Sequence, residues 1–85
     1  MARSVFTHPF RGITYEIIRG IDTAGFVTLP GRLPVMFIQR LPPRRTLTIE
    51  LHEALHALEP HMAEAKVDFL SQQLGHWLWR LGYRK

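Results

Sequence analysis

The chain has 85 residues, 46% of them hydrophobic and 21% charged, with a net charge of +4 and no cysteine. A chain this short forms one small domain that buries only a little over ~60% of its unfolded surface, so added support from a metal or a partner suits its size. Without cysteine there is no disulfide framework, thiolate zinc finger, iron–sulfur centre or thiol nucleophile, and any metal must be held by His, Asp or Glu.

The opening residues, Met1 to Pro9, lack the apolar core of a secretory signal, and no apolar run approaches the ~20 residues that span a bilayer. This predicts a soluble, cytoplasmic protein with no membrane partner. Residues 1–45 carry seven arginines against Glu16 and Asp22, and residues 46–85 carry four basic groups against five acidic ones. The basic excess is therefore confined to the first half, where most arginines stand singly.

Five of the six prolines lie between Pro9 and Pro43, which predicts a strand-rich region over residues 1–43 and excludes long helices from it. Ile13–Ile18, rich in β-branched residues and ending at Gly20, reads as a first strand. A short second strand is expected around Phe26–Thr28. Leu33–Gln39 is a third, with Pro34 pointing to an edge position or to a start just after it.

After Pro43 the pattern changes to helical. Leu47, Leu51, Leu55 and Leu58 recur at intervals of four and three, predicting a helix from about Arg44 to Leu58. Pro60 suits the first turn of a second, longer helix whose apolar stripe is Ala63, Val67, Leu70, Leu74, Leu78 and Leu81 and which ends at Gly82. Gly75 within it suggests close packing. The expected fold class is α+β, a single domain of about three short strands followed by a helical hairpin over residues 44–83.

The first helix contains His52-Glu53-Ala54-Leu55-His56. Four residues make just over one turn, so both imidazoles project from one face and can bind one zinc ion, with Glu53 beside the remaining coordination position. With five His and five Glu in the chain, only ~1–2% of shuffled orderings would contain this motif. The plain alternative is an exposed polar helix face.

A third ligand must come from another element, because Glu59 lies seven residues beyond His52, a rise of ~10 Å on a straight helix. His61, past Pro60, has little chain with which to swing back. Glu64 fits better: it shares a face of the second helix with Asp68 four residues later, and antiparallel packing would bring that face to His52 and His56. Asp68 could then accept the remaining imidazole N–H of a ligand histidine. His8, His61 and His76 read as surface histidines. Phe69, Trp77 and Trp79 read as helix-packing residues in preference to stacking platforms for nucleic acid.

His52-Glu53-Ala54-Leu55-His56, seven intervening residues and Glu64-Ala65-Lys66-Val67-Asp68 together resemble the gluzincin-type zinc metallopeptidases, in particular the minimal zincin-like proteins of phage and bacterial genomes. Leu78 to Tyr83 is similar to the closing segment of that small group, and the resemblance covers residues 47–83. It implies zinc as cofactor, His52, His56 and Glu64 as metal ligands, Glu53 as general base, Asp68 as the partner that orients a histidine, and a peptide or protein substrate. It also implies a sheet edge for an extended peptide, for which Val35–Gln39 is the assigned segment. A metzincin pattern fits poorly, because Glu59 and Met62 stand where Gly and His are required. Tyr15, His61, His76 and Tyr83 are unranked candidates for the oxyanion stabiliser. The competing reading is a non-catalytic module, zinc-stabilised or metal-free, that contacts nucleic acid or a protein through its basic first half.

Overall fold

The computed structural model describes residues 4–83 and is an α+β fold of four strands and two helices. It divides into two units, one of strands up to Arg40 and one of helices from Leu41. No helix among the described residues is long and apolar enough to cross a membrane.

The strand unit is one mixed sheet. β1 (Ser4–Phe10) and β2 (Ile13–Ile21) form an antiparallel hairpin, β4 (Val35–Gln39) lies parallel to β2, and β3 (Gly25–Val27) pairs antiparallel with β4. The spatial order is β1-β2-β4-β3. Among the described strands there are thus four where three were expected, the addition being β1. Its turn has only two residues, Arg11 and Gly12, both at positive φ (54° and 77°), the conformation that matches the twist of a tight hairpin.

Two further expectations need correction. The strand through Ile18 does not end at Gly20. The positive φ of Gly20 (83°) accommodates an irregularity between Arg19 and Ile21, and pairing resumes at Ile21 with Gln39. Val35–Gln39 is also not an edge. It begins directly after Pro34, which satisfies the proline without an edge position, and Val35 to Phe37 are paired with β2 on one side and β3 on the other. A peptide therefore cannot add along those residues.

Alternation sorts the sheet into two faces. Ile17, Met36 and Ile38 share one face and are its buried positions. On the same face the rings of His8, Phe10, Tyr15 and Phe26 run in tilted or edge contacts, with successive centroids 4.9, 5.7 and 5.9 Å apart. Thr7, Thr14 and Glu16 lie on the opposite face.

The helical unit pairs α1 (Pro43–Leu58) with α2 (Glu64–Arg80) through a five-residue connection. α1 begins on Pro42-Pro43, which carry no N–H to leave unsatisfied, and the Thr46 hydroxyl donates to the Leu41 carbonyl (2.7 Å) while accepting from the Leu41 N–H (3.2 Å). α2 starts at Glu64, so Pro60 lies in the connection and not in the helix, where Met62 N–H donates to the Glu59 carbonyl. Its end follows the Schellman pattern: Gly82, at φ 92°, donates to Trp79 O, and Tyr83 N–H donates to Leu78 O.

The face that α2 buries is rotated from the expected leucine stripe. Val67, Ser71 and Gly75 are buried, whereas Ala63, Leu74 and Leu81 are exposed. Leu58 of α1 is likewise exposed. The cause is close approach between the helices: a Cβ on Gly75 would lie 2.7 Å from Thr48 Oγ1 and 3.4 Å from Thr48 Cα. Small side chains spaced by four form the seam, and the larger leucines are displaced to its flanks.

This contact reverses the usual effect of a helical glycine. Alanine in mid-helix ordinarily gains ~1 kcal/mol over glycine, but Gly75→Ala is expected to lose about 1–3 kcal/mol through the clash with Thr48. Adding Thr48→Ala removes the clashing oxygen and should restore the lost stability. Thermal melts of the two single variants and the double variant measure this directly, and a Gly75→Ala chain more stable than the parent would show that the seam is loose.

Candidate metal centre

The motif of α1 places His52 and His56 one turn apart, with ring centroids 4.7 Å from each other. Glu64 is the first residue of α2, where the positive end of the helix dipole favours a carboxylate, and Asp68 follows one turn later. Antiparallel pairing of the helices brings all four side chains together. His52 Nε2 is 2.9 Å from Glu64 Oε1, His56 Nε2 is 3.2 Å from the same oxygen, and the two Nε2 atoms are 3.1 Å apart. On the far side of the His52 ring, Nδ1 lies 3.1 Å from Asp68 Oδ1.

An ionised carboxylate only accepts, so Nδ1 of His52 carries a hydrogen and donates it to Asp68. The Nε2 atom of His52 faces Glu64 Oε1 on the other side of the ring. An Nε2–H on His56 would donate to Glu64 Oε1 or to His52 Nε2, so hydrogen bonds serve these contacts pairwise. A single cation would serve all three atoms at once. His52 Nε2, His56 Nε2 and Glu64 Oε1 are the atoms that would hold it. Two imidazoles with one carboxylate form a donor set that zinc accepts.

The surroundings are not those of a solvated polar face. The side chains of His52 and His56 are 19% and 24% exposed, and Glu53 between them is buried. Glu64 and Asp68 are more exposed, so one side of the donor triangle is open. Burial pushes the Glu53 carboxyl above its ordinary value, and the nearby Glu64 carboxylate adds to this, while the positive potential of His52 and His56 opposes it.

His52, Glu53, His56, Glu64 and Asp68 were all candidates from the sequence, and the structure gathers the two histidines with the two helix-two carboxylates. Glu59 and His61 are outside the group of converging donors found among the described residues. His76 is exposed, two turns beyond Asp68 and about a quarter turn farther round α2. Tyr83 is exposed beyond the end of α2. The supporting role that sequence reasoning missed belongs to Ser71, which is buried and whose hydroxyl donates to the Asp68 carbonyl (3.1 Å). The available signal was the four-residue spacing of Val67, Ser71 and Gly75. No protein-family model, curated protein or solved structure matches this chain.

Proposed function

We propose that the protein is a zinc-dependent peptidase of minimal size, a gluzincin-like hydrolase that acts on peptide or protein substrates in the cytoplasm. The observation supporting this reading is the convergence of His52 Nε2, His56 Nε2 and Glu64 Oε1 within 3.2 Å of one another, beside the buried Glu53 carboxyl.

His52, His56 and Glu64 would hold the metal. Asp68 fixes the hydrogen of His52 on Nδ1, which keeps the Nε2 lone pair aimed at the centre. A zinc ion, when bound, supplies Lewis acidity that lowers the pKa of a water and polarises a substrate carbonyl. Glu53 supplies the proton transfers: a carboxylate oxygen accepts the proton of the attacking water, and the resulting acid returns it to the amide nitrogen as the C–N bond breaks. Its raised proton affinity brings it closer to the pH at which it must both take and release that proton. The open side beside Glu64 and Asp68 gives the substrate carbonyl its approach.

Protein purified without chelator is expected to contain one zinc per chain and to cleave an unfolded protein substrate. Dialysis against a chelator should remove both properties, and one equivalent of zinc should restore both. A chain that takes up one equivalent yet leaves a diverse peptide library intact would keep the metal site and remove the catalytic assignment.

A further inference from the structure

We propose that the face of α2 turned away from α1 is a docking surface for single-stranded nucleic acid. At 100° per residue, Lys66, Phe69, Gln73, His76, Trp77 and Arg80 fall within an arc of about 100°, opposite the seam of Val67, Ser71 and Gly75. All six are exposed, and the two rings conspicuously so: Phe69 is 62% and Trp77 59% accessible. Both were expected to pack between helices. They lie outside the core, and Trp79, two residues on, is the aromatic of this helix that is half-buried.

The charge on α2 is divided in the same way. Its carboxylates, Glu64 and Asp68, both lie toward α1 at the metal centre, and the outward arc carries none. Each exposed ring instead has a cation three residues farther out, Lys66 before Phe69 and Arg80 after Trp77, which is the spacing of neighbours on a helix surface. The two rings are about 12 Å apart along the axis. Rings that accept unstacked bases, flanked by cations that meet phosphates, are the elements of single-strand binding.

The same pattern disfavours other occupants. A second copy lying antiparallel would set Lys66 near Arg80 of its mate, and a parallel copy would set each cation beside its equivalent, so either pairing opposes like charges. A duplex hides its base faces from Phe69 and Trp77. Because Leu74 and Leu81 border the arc and are exposed, an anionic membrane surface is the competitor that an experiment must separate.

The test is fluorescence anisotropy of a labelled 12-nucleotide oligothymidine with the zinc-loaded full chain. Binding at low salt is expected, weaker for a duplex of equal length. Log affinity should fall with log salt at a slope of at least about −1.4, the value for two neutralised phosphates of a single strand. Phe69→Ala and Trp77→Ala should each weaken binding by about 5- to 100-fold. Lys66→Gln and Arg80→Gln should make the salt slope shallower. All four positions are exposed, and unchanged circular dichroism with unchanged zinc content verifies that each variant is folded. The proposal is overturned by an absence of oligonucleotide binding at low salt. Binding indifferent to the Phe69→Ala/Trp77→Ala double variant overturns it too, placing the contact elsewhere, and so does capture on phosphatidylserine vesicles without affinity for the oligonucleotide.

Discussion

A His56→Ala chain is expected to purify without zinc and to gain no thermal stability when zinc is supplied. Removing this imidazole deletes one corner of the donor triangle and leaves His52 Nε2 and Glu64 Oε1, which are 2.9 Å apart, as the remaining pair. The loss in affinity should exceed the roughly 10–100-fold that follows removal of an outer partner of a metal ligand. The parent chain, with free zinc held at about a hundred times its dissociation constant, gains about 2.7 kcal/mol by mass action, a rise in Tm of roughly 10–20 °C for a domain of this size. Calorimetric titration and paired melts with and without zinc measure both effects. Stoichiometric, tight zinc in the His56→Ala chain would place the metal at other residues.

Glu53→Gln separates the two halves of the proposed function. The variant should retain one zinc per chain, because the three donors are untouched, and should lose about 10²–10⁴-fold in peptide hydrolysis with the proton acceptor gone. It should also be more stable. Burial raises the Glu53 carboxyl above its ordinary 4.5, so the folded chain holds this proton more tightly than the unfolded chain does. Ionising Glu53 therefore costs stability. That cost is absent below the unfolded value, grows as pH rises through the window between the unfolded and folded values, and is complete above the folded one. In metal-free samples the glutamine variant is expected to melt above the parent at pH 7, with the difference vanishing toward pH 4. Equal melting at pH 7 would remove the burial cost, and full hydrolysis by the variant would remove Glu53 from the mechanism.

The legible parts of the chain were those with a local cause. The two histidines follow from a four-residue interval, Glu64 and Asp68 from another, and the end of α2 from Gly82, whose left-handed backbone supports the terminal hydrogen bonds. β1 was missed because Thr7, His8 and Pro9 interrupt its apolar residues and its turn, Arg11-Gly12, places a non-glycine residue at positive φ. The interior position of β4 was not readable either, since strand order depends on pairing with β3 across a gap in sequence. The rotation of α2 has a third origin. Apolar periodicity rewards large leucines, whereas the buried face belongs to valine, serine and glycine, whose contribution is the short distance they permit.

That short distance bears on the donor triangle as well. Two of the three edges of the donor triangle run from α1 to the Glu64 carboxylate on α2, so they follow the separation of the helix axes, and Gly75 sets that separation two turns beyond Asp68 by offering hydrogen where other residues have carbon. The donor set itself, two imidazole nitrogens with one carboxylate, suits zinc, whereas calcium takes about six to eight oxygens. The chain thus has its calliper at a position outside the donor triangle, and a methyl group added there would spread the two Glu64 edges as well as disturb the packing.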